Sequence, residues 1–267
     1  MPVTCPIQLR VLSEREFKDL DYRVMSHAFA AQNEMGRLCD EDIYQRDLAA
    51  RVEADGLGPG RCEVPVSVSH DGFCKTYYLD LVVADSAIYE LKTVQSLTNE
   101  HHRQLLNYLF LLDQPRGKLV NFRSAAVEHR YASTSLNGTE RRNYQLVTDR
   151  WRELDERGAE LHRVLAALLA DWGTFLELTL YLEAVVHFLG GEDAVLRDIP
   201  LMRDGLRLGS QRFYCLNESV GFRFTAFTED VERNEAHLVQ FLKHTPLKAV
   251  QWVNFNHHRV EFVTLTK

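Results

Sequence analysis

The chain has 267 residues, 45% of them hydrophobic, and a formal net charge of −7. That is apolar material for one or two ordinary cores, and the acidic balance excludes a general attraction to polyanions, so any nucleic-acid contact needs a local basic groove. No apolar run is long enough to cross a bilayer, and the five scattered cysteines (Cys5, Cys39, Cys62, Cys74, Cys215) contain no C-x-x-C pair, which argues against a zinc ribbon, an iron–sulfur cluster or a disulfide scaffold.

In chain order, Met1-Pro2-Val3-Thr4-Cys5-Pro6 lacks the charged-then-apolar pattern of a signal peptide, so the expected location is the cytoplasm. Ser13 and Glu16 have the spacing of a capping box, and apolar positions at helical period predict a helix over 13–34. Glu34-Met35-Gly36-Arg37-Leu38 breaks it. A second helix is predicted from about Asp40 to Ala54, with Glu41 and Tyr44 one turn apart. Gly56-Leu57-Gly58-Pro59-Gly60 lacks both a preceding strand and a closing Gly-Lys-Ser/Thr, so it reads as a turn rather than a phosphate cradle. Strands are predicted at 62–69 and 75–84 around the turn His70-Asp71-Gly72. Ala84-Asp85-Ser86 then turns the chain into a strand over 87–92. A helix over 97–112 and strands at 118–122 and 126–132 complete a compact α/β or α+β sheet domain.

Within this frame Asp80 lies near the end of one hairpin strand, facing the strand that carries Glu90 and Lys92 on one side and Leu91 on the other. Two carboxylates beside an ammonium suit a hard divalent cation and its activated water. A strand edge bearing Glu and Lys is equally what a solvated face looks like. On the helix that follows, His101, Gln104 and Tyr108 share a face, with Leu105, Leu106 and Leu109 placed to hold the helix on the sheet. Singly, each has a plainer reading: a solvated Gln, a core Tyr, a structural His.

Residues 20–132 resemble the GxxExxY family, which is assigned to the PD-(D/E)XK nuclease-like fold. The matching residues are Glu34-Met35-Gly36, Glu41-x-x-Tyr44, Asp80-Leu81-x-Val83, Glu90-Leu91-Lys92-Thr93, Leu97, His101, Gln104-Leu105-Leu106-Asn107-Tyr108-Leu109 and Val120-Asn121-Phe122. Two positions depart from the pattern. Leu38 stands where the naming glycine belongs, and Tyr78 replaces an arginine often found two residues before the aspartate. The resemblance implies a restriction-endonuclease-like mixed sheet flanked by helices. It further implies one or two Mg²⁺ or Mn²⁺ ions held by Asp80, Glu90 and the Leu91 carbonyl, with Glu41 completing the shell. Lys92 would orient or deprotonate the attacking water, and Gln104 and Tyr108 would position the scissile phosphate of DNA or RNA.

The second half reads as a degenerate copy. Adding 133 to a residue number gives ten identities over 71–128, among them Asp71/Asp204, Gly72/Gly205, Leu109/Leu242, Asn121/Asn254 and Phe122/Phe255. At the site positions the chemistry is gone: Asp80 pairs with Phe213, Glu90 with Arg223, Lys92 with Thr225 and Gln104 with His237. The expected organisation is a tandem duplication: domain 1–135 with the candidate site, domain 136–267 without it, a polar linker at 133–150, and helices at about 155–169 and 173–189. Such a fused pair can act as a monomer, an internal pseudo-dimer, or a weak oligomer. Arg123, Arg130, Arg141, Arg142, Arg150 and Arg152 fall among acidic neighbours and read as a mixed surface. His257-His258 reads as an exposed turn, and Trp151, Trp172 and Trp252 as packing residues. Two functions remain open: a metal-dependent nuclease acting on DNA or RNA, and a non-catalytic module that binds nucleic acid or protein on a nuclease-like fold.

Overall fold

The computed structural model describes residues 2–267. The chain divides into two compact units, the first ending at Gly138 and the second beginning at Thr139.

The first unit opens with β1 (Val3–Thr4), α1 (Glu14–Met35) and α2 (Glu41–Ala54). The Ser13 hydroxyl accepts the Glu16 N–H while the Glu16 carboxylate accepts the Ser13 N–H, so the capping box forms as its spacing predicts. Gly36 ends α1 at φ 76, a left-handed conformation that favours glycine. Its carbonyl accepts the Tyr44 hydroxyl at 2.6 Å, and the Tyr44 ring stacks on Phe122 at 4.4 Å. There follow β2 (Gly60–His70), β3 (Phe73–Val83), β4 (Ala87–Lys92), α3 (Asn99–Leu111), β5 (Arg116–Asn121) and β6 (Glu128–Ser133). They form one six-stranded sheet in the order β1-β2-β3-β4-β5-β6. All its pairs are antiparallel except β4–β5, which the helix α3 connects in parallel. Val24, Ala28, Tyr44 and Leu48 of α1 and α2 pack with Leu81, Tyr89, Leu91 and Val120 of the sheet. This is a mixed α/β fold, a mixed sheet flanked by helices, consistent with a PD-(D/E)XK nuclease-like fold.

The second unit takes in most of α4 (Gly138–Arg141), then β7 (Gln145–Arg150), α5 (Glu156–Trp172), α6 (Leu178–Phe188) and the single turn α7 (Glu192–Val195). β8 (Leu196–Arg203), β9 (Leu206–Tyr214), β10 (Val220–Thr225), α8 (Val231–Lys243), β11 (Ala249–Asn256) and β12 (Arg259–Thr266) complete it. β10, β11, β12 and β7 form a four-stranded sheet, parallel at β10–β11 and at β12–β7, while β8 and β9 pair only with each other. Phe213, Leu242, Val250, Trp252 and Val263 form its core.

Three expectations are corrected here. Residues 133–150 are not simply a linker, because 145–150 form β7 on the edge of the second sheet; no side chain of β7 is fully buried, so it leaves no alternating signal. The last predicted helix starts at Leu178 rather than 173, because Gly173 sits at φ 77 as the C-cap of α5. Arg141 is fully buried rather than part of a mixed surface, and donates to the carbonyl of Trp172 at 2.8 Å, filling acceptors that the end of α5 leaves open. Trp172 and Trp252 are buried, and all five cysteines are free. Among the described residues no helix is long and apolar enough to cross a membrane.

Candidate functional site

β3 and β4 part company beyond Leu81↔Tyr89, so Asp80 has no ladder partner on β4. Its carboxylate takes over that role: Asp80 Oδ2 accepts the Leu91 N–H at 2.7 Å. Two residues apart on β4, Glu90 and Lys92 share a face, and Lys92 Nζ lies 2.6 Å from Glu90 Oε1 and 3.4 Å from Asp80 Oδ2. Glu41 comes from the first turn of α2. Its Oε1 is 3.7 Å from Lys92 Nζ, and its Oε2 accepts the Thr93 N–H at 3.2 Å. The structure therefore brings Glu41, Asp80, Glu90 and Lys92 together around one ammonium. The Lys92 carbonyl accepts from Phe122 N–H at 2.8 Å on the β5 side, and successive strand residues turn their main-chain groups to opposite neighbours. Leu91 accordingly turns its main chain toward Asp80.

α3 supplies the other two residues. Gln104 Nε2 donates to the Tyr108 hydroxyl at 3.0 Å, and the Tyr108 ring meets Tyr77 edge-on at 5.9 Å. Burial pushes the Tyr108 hydroxyl up to about 12, with the Glu90 charge adding to it. Leu105 and Leu109 can lie this close to the sheet because Gly117 faces them. A Cβ there would stand 3.1 Å from Leu105 Cδ1 and 3.2 Å from Leu109 Cδ2. His101 is used locally: its Nδ1 accepts the Thr98 N–H at 3.1 Å and closes a capping box at the start of α3.

Burial dominates the electrostatics. Glu90 is fully buried, and desolvation together with the Asp80 charge pushes its carboxyl up to about 8. Burial also raises Asp80 and Glu41. For Lys92 burial acts the other way, but Glu90, Asp80 and Glu41 outweigh it and hold the ammonium above its ordinary range. Three carboxylates thus face one ammonium, and Glu90 Oε2 is buried with no hydrogen-bond partner among the described residues. An orphaned carboxylate oxygen amid surplus negative charge fits a divalent cation. Among the described residues no group of three or more His, Cys, Asp or Glu is arranged to hold one unaided. Mg²⁺ needs only one or two carboxylates, since it retains several waters, so Asp80, Glu90 and a main-chain oxygen match its habit.

Two residues of this neighbourhood carry no sequence motif. Gln45, 4% exposed on α2, donates through Nε2 to the Asp80 carbonyl and to Glu63 Oε1 at 2.8 Å. The β2–β3 ladder pairs Cys62↔Leu81 and Val64↔Leu79 but skips Glu63 and Asp80, and Glu63 sits at φ 52. Left-handed backbone at a non-glycine residue costs about 1–3 kcal/mol and tends to collect at functional sites. The Gln45 amide supplies the donor that the interrupted ladder denies to Asp80. The one signal available to sequence was a polar residue at a core-facing position of the second helix.

An acid on β3 and a Glu-x-Lys strand thus meet where two strands of a helix-flanked mixed sheet diverge. Residues 18–132 match the family model described as the PD-(D/E)XK nuclease superfamily. No curated protein and no solved structure gives a match.

Proposed function

We propose that the first unit is a metal-dependent nuclease that hydrolyses phosphodiester bonds of DNA or RNA. The observation that carries the reading is Glu90: a fully buried carboxylate with an orphaned oxygen, held between Asp80 and the Lys92 ammonium. Asp80 and Glu90, with the Leu91 carbonyl and Glu41, would hold Mg²⁺ or Mn²⁺. When bound, the cation supplies Lewis acidity to the scissile phosphate and lowers the pKa of the attacking water. Lys92 presents a positive charge and donors to that water and to the phosphate. Tyr108 and Gln104, joined to each other, orient the phosphate from α3. Gln45 fixes the backbone from which Asp80 projects.

We assign the first unit to the GxxExxY type and read the second as its degenerate copy. Two clasps recur in support. Tyr181 donates to the Gly173 carbonyl at 2.6 Å and lies 5.0 Å from Phe255, as Tyr44 does with Gly36 and Phe122. Asn254 accepts the Phe227 N–H and donates back to the Phe227 carbonyl, as Asn121 does with Val94. In the copy, Thr225 stands at the Lys92 position and bonds Asn254 instead of a carboxylate.

The test is cleavage of labelled single- and double-stranded DNA and RNA with Mn²⁺ or Mg²⁺, comparing the native chain with Asp80→Ala and Lys92→Ala. Metal-dependent cutting that falls at least about a hundredfold in both variants is the expected result. A folded native chain that cuts none of these substrates would leave the non-catalytic binding module in place of the nuclease.

A further inference from the structure

The second unit contains one element that its own core does not explain. β8 and β9 form a two-stranded ribbon outside the four-stranded sheet, whereas in the first unit the hairpin β2–β3 is flanked by β1 and β4. The ribbon is anchored at its base by buried Ile199 and Phe213 and, further out, through the main chain of Met202, which bonds His244. Beyond that base every residue from 202 to 212 is exposed, including Met202, Leu206 at 60% and Leu208 at 56%. Asp204 and Gly205 turn the tip at φ 51 and φ 80.

The ribbon carries Arg197, Arg203, Arg207 and Arg212 against Asp198 and Asp204, with no Lys or Glu. All four arginines are exposed, and among the described residues none has an ion-pair partner; Arg207 donates to the Ser210 hydroxyl at 2.9 Å. Elsewhere some exposed arginines are paired, as at Arg10, Arg46, Arg61 and Arg150, and others, such as Arg37, Arg103 and Arg142, are not; the ribbon gathers four unpaired ones within 16 residues. A protein of net charge −7 thus keeps unneutralised guanidinium groups on one projecting hairpin. One edge is already in use where Met202 N–H bonds the His244 carbonyl at 2.8 Å, which disfavours capture of a partner strand along β8.

We propose that the β8–β9 ribbon is a nucleic-acid-binding arm that enters a groove of duplex DNA. Its arginines lie on the phosphates, and Leu206 and Leu208 at its tip pack on sugars and base edges. The choice of ligand rests on the reading of the first unit as a nuclease. A two-stranded ribbon fits the major groove, which is about 12 Å wide. Arg197 and Arg203 lie six residues apart on β8, about 20 Å, so the guanidinium groups reach phosphates well separated along the duplex. Arginine suits phosphate because its planar fork can donate two hydrogen bonds at once.

The experiment is fluorescence anisotropy of a short labelled DNA duplex titrated with the full chain in EDTA, across a range of salt concentrations. In the double variant Arg203→Glu/Arg207→Glu, affinity should fall by about tenfold or more, and the slope of log affinity against log salt should drop by about two. Arg203→Lys/Arg207→Lys should retain the slope, because lysine keeps the charge. Native affinity and slope in the glutamate variant would overturn the inference, as would a native chain that binds no duplex. Arginine-dependent binding to anionic lipid vesicles without duplex binding would overturn it in favour of a membrane surface. Ribbon-dependent binding without Mn²⁺-dependent cutting would sink the nuclease reading alone, and cutting with binding indifferent to the ribbon would sink only the arm.

Discussion

Glu90 is the residue at which stability and the proposed function pull apart. Its carboxyl is held at about 8 by burial and by Asp80, against an ordinary value near 4.5. Between those values the unfolded chain has released the proton that the folded chain still binds, so metal-free stability falls as pH rises through this window. Glu90→Gln removes that linkage while its amide oxygen can still accept from Lys92. In EDTA, thermal melts should show the native chain losing stability from about pH 5 to pH 8 with a flatter profile for Glu90→Gln. At pH 8 the variant should gain about 1–2 kcal/mol, a few degrees in Tm. Parallel profiles would mean that Glu90 titrates elsewhere. The same variant should lose Mn²⁺ binding, which separates a site that costs stability from one that merely packs.

At the scale of elements, the hairpin Leu79–Lys92 and the helix over 97–112 were legible because each carries a local signature. The strands alternate around turn residues, and the helix starts at a cap and keeps its leucines at helical spacing. Glu41, Asp80, Glu90 and Lys92 were legible as a motif. What sequence could not supply is the link between α2 and the β2–β3 hairpin, since Gln45 and Asp80 are 35 positions apart and neither spacing nor periodicity joins them. β7 and the β8–β9 ribbon were illegible for another reason: both are largely open to solvent, so no face of either is forced to be apolar. The Gln45 link has its own test. Gln45→Met keeps the length and apolar bulk of the side chain but loses the donor to the Asp80 carbonyl. Mn²⁺ affinity by calorimetry should fall by about tenfold, as for other outer-shell partners of metal ligands, with little change in KM for substrate at saturating metal. If native and variant bind Mn²⁺ alike, Gln45 is only a satisfied core amide.

At the scale of the molecule, the two units repeat the same clasps but spend their interiors differently. The first buries carboxylates and an ammonium beside its sheet; the second fills its core with Phe213, Trp252, Leu242 and Val263. Replacing buried charge by well-packed apolar groups is often neutral or stabilising. The second unit, whose core is apolar, should therefore be a self-sufficient fold. Trp151, Trp172 and Trp252 all fall after Thr139, so tryptophan emission reports on that unit alone. Expressed by itself, the fragment 139–267 should give blue-shifted emission from buried Trp172 and Trp252 and one cooperative transition in urea. It should also bind duplex DNA in EDTA without cutting it when Mn²⁺ is restored. A fragment with red-shifted emission and no cooperative transition would mean that the second unit depends on the first for its fold. A folded fragment that cuts DNA would overturn the reading of the second unit as a copy without the site.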